Sequence, residues 1–319
     1  MKRCVWIAWE DQIRNVSMSS GLGAKLFVLL SSRGRLMRYM SCSCRTVAIL
    51  WRERPSVVFA PNPSIVLTYL LLAMKYAFQY KFVIDAHFAG VVAPRGHRLF
   101  QGALDFANRR ADLVIVTNDA HKRCVEALGG TSIACEDPLP EIGRYIEFYD
   151  DAVDRKTAFF ICSFDVDEPY LEAFEAARLL RGDGYSFLVS GKYQKAGIDP
   201  AVWPEVMFMG FVPTRDFYEK LASSDVVIDL TNQDNCLLCG AYEAMALEKP
   251  LVTSNQPALR DYFAAGTVFV EHSAEEIAAG VRSAYEKRGA LRAEIKRWKE
   301  LANQEISRKL ESVSQQLEL

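Results

Sequence analysis

The chain has 319 residues, half of them apolar and 24 % charged, with a formal net charge of −2. Such a balance excludes a largely disordered protein, and the length allows two domains that each bury a core without disulfide staples. Charge is unevenly divided: residues 1–150 hold 19 Lys and Arg against 13 Asp and Glu, net +6, while residues 151–319 hold 19 against 27, net −8. A basic half suits an anionic partner, a phospholipid surface or a phosphate-bearing substrate, and it equally suits ordinary solvated surface charge.

In chain order, short β-rich apolar runs alternate with longer segments of helical period. The first half contributes "CVWIAW" (4–9), "LFVLLS" (26–31), "SVVFA" (56–60), "FVIDA" (82–86) and "LVIVT" (113–117). The second contributes "AFFIC" (158–162), "SFLVS" (186–190), "VMFMG" (206–210), "VVIDL" (226–230), "PLVTS" (250–254) and "TVFV" (267–270). Continuous apolar strands separated by helices predict parallel sheets covered on both faces, hence an α/β chain of two doubly wound domains. A Pro- and charge-rich stretch without clear period, 135–156, is the expected linker, with a boundary at 145/146. The tail, about 289–319, reads as a charged helix. The run "SIVLTYLLLAM" (64–74) is shorter than the ~20 residues a membrane span requires, so it reads as a buried helix, with any membrane contact peripheral.

The eight cysteines lie largely within apolar runs (Cys4, Cys162) or on apparent helices (Cys42, Cys44, Cys124) with no secretory signal ahead of them, which points to a reducing, cytoplasmic setting. Cys236 and Cys239 have CxxC spacing, but zinc would need a second ligand pair, and none is near; two small buried residues beside a turn are the simpler expectation. No metal site is expected.

Ligands of open parallel α/β sheets bind beyond the carboxyl ends of strands. After "VVIDL" comes "TNQDNC", then a Gly turn and the apolar helix "GAYEAMAL", which carries one carboxylate, Glu243. With Gly240 near the helix start, its N–H groups and positive dipole end suit an anion such as a pyrophosphate, and Glu243 can accept paired hydrogen bonds from two vicinal hydroxyls, as on a ribose. A Glu that only complements the dipole is the competing reading.

The segment 225–261, with "YEAMALEKPLVTS" at its heart, resembles the donor-site region of GT-B glycosyltransferases, especially glycosyltransferase family 4, in which Glu, seven residues and Glu precede "AMA.G.PVV.S". That resemblance implies two Rossmann-like domains facing a central cleft, residues 1–145 for the acceptor and 146–319 for the donor. It implies a nucleotide diphosphate sugar, UDP- or GDP-linked, as substrate and no other cofactor. On it Glu243 binds the ribose, and the turn Phe211–Val212–Pro213 in "MGFVPTRDF" lines the nucleobase pocket. Two departures stand out. The family's first Glu is replaced by Asn235, with Asp234 beside it; and the loop that usually brings an Arg and a Lys to the diphosphate reads "CSFDVDEPY" (162–170), so Lys192 in "SGKYQK" is left to supply charge.

In the first half, "WEDQIRNVSMSSGLGAKLFVL" (9–29) is similar to the opening of some bacterial polysaccharide glycosyltransferases, with Gly21 and Gly23 closing a helix and not forming a phosphate loop. The resemblance places His87 of "VIDAHFAG" (83–90) at the acceptor side, with Asp85 as an orienting or basic partner; Asp85, Glu10 and Asp11 are the carboxylates available as a base should the anomeric centre invert. A structural His at a strand end is the simpler reading of the same motif. The loop "RGH" (95–97) offers Arg95 as a candidate phosphate contact, or contributes nothing. The implied activity is metal-independent transfer of a hexosyl group to a glycan or polyprenyl-linked acceptor in exopolysaccharide or cell-envelope assembly, at the inner face of the membrane. A binding or scaffold protein that has lost catalysis and a sugar-nucleotide epimerase of the same architecture are the alternatives. Nucleic acid is not an expected partner.

Overall fold

The computed structural model describes residues 3–32, 34–94, 96–149 and 155–319. The chain forms two compact units, Met1–Pro138 with Asn303–Leu319, and Leu139–Ala302. The expected boundary at 145/146 thus falls a few residues late, and the tail, assigned by sequence to the second domain, ends in the first unit.

In the first unit six strands, β1 (Cys4–Ala8), β2 (Lys25–Val28), β3 (Val57–Asn62), β4 (Lys81–Ala86), β5 (Leu113–Val116) and β6 (Ser132–Ala134), form a parallel sheet in the order β2-β1-β3-β4-β5-β6. β3 and β5 are buried along their whole length, as Val- and Ile-rich strands with helices on both faces must be. The order reverses between β1 and β3, so the loops that follow those strands flank a topological switch point. β6 went unnoticed in the sequence because "SIA" is too short to make a run.

Helices close this sheet. The apolar run at 64–74 lies in the helix Ile65–Phe78, which buries Leu67, Thr68 and Leu71. Its Tyr69 stacks on Phe106 and donates to the Ala103 carbonyl oxygen at 3.1 Å. At the other end of the chain, Val313 and Leu317 of the helix Arg288–Leu317 join Trp6, Met18, Leu22 and Phe59 in one apolar cluster. Lys309 of the same helix pairs with Glu136 at 2.6 Å.

The second unit holds β7 (Thr157–Phe160), β8 (Ser186–Ser190), β9 (Val206–Gly210), β10 (Val226–Asp229), β11 (Leu251–Ser254) and β12 (Thr267–Val270), ordered β12-β11-β10-β7-β8-β9 and parallel throughout. Counted within the unit this is the 3-2-1-4-5-6 Rossmann order, so the two sheets share a layered plan but differ in topology. Its switch point lies between β7 and β10, where the loops 161–169 and 230–238 emerge. The expected linker is partly structured: a 3₁₀ turn, Gly143–Phe148, buries Tyr145 against Tyr218 with ring centroids 5.4 Å apart. The start of the helix Ala274–Glu286 is fixed by its N-cap, because the Ser273 hydroxyl accepts from the Glu276 N–H at 3.2 Å.

Candidate functional site

The second unit carries the denser set of polar groups. Beyond β10, the helix Cys239–Ala246 buries Gly240, Ala241, Tyr242, Ala244, Met245 and Ala246, which leaves Glu243 as its partly buried acid. The Tyr218 hydroxyl donates to Glu243 Oε1 at 3.0 Å, while Oε2 accepts no bond among the described residues. Burial pushes the Glu243 carboxyl up to about 7, against the opposing effect of the tyrosine hydrogen bond. A group poised there is an acceptor whose charge changes near neutrality.

The helix start differs from the sequence expectation. Asp229, at the end of β10, is buried beside the helix start, where the Gly240 and Ala241 N–H groups favour its charged form, but its Oδ2 has no hydrogen-bond partner among the described residues. Those donors were expected to face a pyrophosphate; an internal carboxyl lies beside them. A Cβ at Gly240 would lie 2.5 Å from Asp229 Oδ2, so glycine here admits the acid, not a ligand. Burial raises the Asp229 pKa well above the carboxylate range, and the nearby Glu168 and Glu243 push the same way.

In the loop 161–169 a carboxylate does accept the backbone donors. Glu168 accepts from the Ser163 and Asp165 N–H groups, each at 3.0 Å, and from the Ser163 hydroxyl at 3.0 Å. Successive N–H groups of this kind form an anion nest, and Glu168 is its occupant. Asp165 is in turn ion-paired with Lys195. Lys192 is exposed, with its ammonium 4.8 Å from the ring centroid of Phe211, which is itself 80 % exposed. Val212 is partly buried beside it, so the 211–213 turn presents an aromatic face and a cation together. Gly191 precedes that lysine at φ 96°, and a Cβ there would overlap the Cys162 carbonyl oxygen. Only glycine lets the β8 turn approach the end of β7 so closely.

Loop 230–238 is held by a network the sequence did not reveal. His272 bridges Asn232 Oδ1 and Ser254 Oγ, each at 2.7 Å, and Ser254 Oγ accepts from the Thr231 N–H at 2.8 Å. Thr231 donates through its hydroxyl to Asp167 at 3.1 Å. Asn235 sits farther along at φ 59°, in the left-handed region that asparagine tolerates, and Asp234 beside it is exposed. Cys236 is partly buried and Cys239 exposed, not the two buried residues expected, and none of the eight cysteines is in a disulfide. Among the described residues no group of three or more His, Cys, Asp or Glu side chains is placed to hold a metal ion.

In the first unit the strand-end acid is already engaged. Arg14 donates to both oxygens of the fully buried Asp85, at 2.8 and 2.6 Å, and its remaining arm pairs with Asp137. This triad raises the Arg14 pKa further above its ordinary value, despite the opposing cost of burial. Asp85 therefore faces a permanent cation and is poorly suited to be the base expected of it. His87 Nε2 lies 4.0 Å from Asp85, too far for a hydrogen bond, and that nitrogen is buried without a partner among the described residues. The expected orienting bond is thus not made. Glu10 is exposed and 3.7 Å from Arg38, and Asp11 is exposed as well. Arg95 lies outside the described residues.

The family model described as "Glycosyl transferase-like" (Glyco_trans_1_2) matches residues 171–309, which include Glu243, Lys192 and Phe211. No curated protein matches the sequence. Among solved structures, Anabaena Alr3699/HepE in complex with UDP and glucose superposes with a TM-score of 0.73 at 11 % identity, covering all of both chains. Sucrose-phosphate synthase from Thermosynechococcus elongatus gives 0.75 at 14 % identity over 99 % of each chain. UDP-GlcNAc 2-epimerase from Methanocaldococcus jannaschii gives 0.60 at 10 %, covering 90 % of this chain and 93 % of its own. The fold is GT-B, with two Rossmann-like units, and the stretch 171–309, under half of the chain, is similar to the glycosyl transferase-like family.

Proposed function

We propose that this chain is a glycosyltransferase whose second unit binds a nucleotide diphosphate sugar. The observation that carries the reading is Glu243: a carboxylate held on a tyrosine hydroxyl within the matched domain, on the helix that follows the switch-point strand β10. Glu243 takes the ribose hydroxyls, the Phe211–Val212 turn takes the base by stacking and backbone contacts, and Lys192 takes diphosphate charge. Asn235 and Asp234 stand on the loop that reaches the sugar. The neighbour crystallised with UDP, and in another structure with UDP-glucose, favours a uridine donor. The spacing around Glu243 supports the finer assignment to glycosyltransferase family 4.

The leaving diphosphate is a good one, so catalysis consists of positioning and charge stabilisation. With Asp85 locked on Arg14, retention needs no base that the first unit lacks, whereas inversion would fall to Glu10 or Asp11. His87, with its unpartnered nitrogen, is the acceptor-side hydrogen-bonding group, and the acceptor is a glycan or lipid-linked saccharide. Independence from metal belongs to the proposal; turnover that survives EDTA supports it.

One observation favours a second reading, nucleotide binding without transfer: Glu168 fills the anion nest of the loop 161–169, and the buried Asp229 lies beside the helix start. Calorimetry with UDP, GDP, ADP, TDP and CMP separates the readings, with Glu243→Ala beside the wild type. Saturable binding of one nucleotide, weakened at least tenfold in the variant, is expected, because two charge-assisted hydrogen bonds at ~1.5–3 kcal/mol each are lost. Binding without transfer to any acceptor supports the second reading, and equal affinity in a folded variant rejects the ribose role. Release of a free epimerised sugar nucleotide without acceptor would make it an epimerase.

A further inference from the structure

The helix Arg35–Glu53 turns Cys42, Thr46, Ile49 and Leu50 into the core of the first unit. Its opposite face is apolar as well. Leu36, Met37, Met40 and Trp51 are 73, 50, 55 and 69 % exposed, and Cys44 and Ala48 complete the stripe between them. Large apolar side chains so exposed along one helix face are uncommon on a soluble surface and mark an interaction site. Leu30 extends the patch, because Arg45 donates to its carbonyl oxygen at 3.1 Å.

Arginines rim one flank of the stripe. Arg38, Arg45 and Arg52 are seven residues apart and so fall in one row along the helix, and Arg35 stands at its first turn. The helix contains no acidic residue before Glu53 at its end, where Arg52 and Lys25 neutralise the carboxylate at 3.0 and 3.1 Å. The helix Ile65–Phe78 also exposes Val66 and Tyr76, but Lys75, paired with Asp112 at 2.7 Å, is its one charged residue, so it has no cationic rim.

From this arrangement we infer that the outer face of the helix Arg35–Glu53 docks the protein on an anionic phospholipid surface. A partly immersed helix needs Trp and Met to enter the acyl boundary and cations at headgroup level, and this face supplies both. Charge selects the occupant: the rim is cationic, so the partner is apolar and anionic. A second copy fits less well, because an isologous antiparallel pairing sets one arginine row against the other. The inference does not depend on the transferase reading, since every residue it uses lies outside the donor site.

The test is flotation of the full-length protein with vesicles of phosphatidylcholine alone and of phosphatidylcholine with phosphatidylglycerol. Binding to the anionic vesicles and little to the neutral ones is expected. Arg45→Gln with Arg52→Gln should lower the partition coefficient about 25-fold, at about fivefold for each cation near the surface. Met40→Ser with Trp51→Ser should lower it at least tenfold. All four side chains are exposed, so unchanged melting of each variant shows that surface, not folding, was altered. Equal binding to both vesicle types, no flotation, or variants that float like the wild type would overturn the inference. So would a concentration-dependent dimer in sedimentation that Trp51→Ser abolishes, because a second copy would then be the occupant.

Discussion

Glu243 shows how far one residue's chemistry follows from its surroundings. Its spacing singled it out in the sequence, but not the Tyr218 hydroxyl or the burial that moves its titration to about 7. A raised carboxyl pKa means that the folded state holds a proton the unfolded state has released, so this group's contribution to stability falls as pH rises from the unfolded value near 4.5 to about 7. Glu243→Gln removes the titration and keeps an acceptor for Tyr218. The variant should therefore match the wild type near pH 4.5 and exceed it at pH 8, by at most about 3 kcal/mol at ~1.4 kcal/mol per unit. Denaturant melts at the two pH values check this; a difference independent of pH would mean that Glu243 titrates normally. Arg14 is the opposite case for legibility. In "EDQIRN" it reads as a surface charge, and its burial is explained only by Asp85 and Asp137, 71 and 123 residues away.

The elements themselves were largely readable, because parallel strands buried on both faces write themselves as apolar runs. Eleven such runs correspond to strands, and the missed β6 has three residues. What the runs conceal is how loops use their backbone donors. "CSFDVDEPY" reads as a diphosphate loop without its cations, whereas in the fold Glu168 fills the nest formed by Ser163 and Asp165. A diphosphate approaching those N–H groups has to displace a carboxylate of its own sign. Glu168→Gln lowers that competition while retaining the side-chain shape, and should tighten UDP binding by roughly tenfold through the loss of one nearby negative charge. Isothermal titration of the folded variant measures it. Unchanged or weaker binding would show that the phosphates bypass this loop and rest on Lys192.

For the whole molecule, sequence predicted two doubly wound units but assigned the tail to the wrong one. The helical character of 289–319 was clear; its destination was not, because Val313 and Leu317 are isolated apolar residues in a charged stretch and their partners, Trp6 and Phe59, lie some 250 to 310 positions earlier. The tail is nonetheless part of a core. Val313 and Leu317 are 0 and 2 % exposed, and burying each contributes about 1.5–3 kcal/mol. Ending the chain at Ala302 should thus destabilise the first unit by roughly 3–6 kcal/mol and uncover its apolar cluster to hydrophobic dyes. Glu243, Tyr218, Lys192 and Phe211 all belong to 139–302, so the shortened chain should still bind nucleotide in a Glu243-dependent manner while its first unit melts early. Val313→Asp in the full-length chain applies the same stress without deleting residues. An unchanged first melting transition in both variants would mean that the tail merely rests on the surface, and loss of nucleotide binding along with it would mean that the second unit does not fold independently of the first.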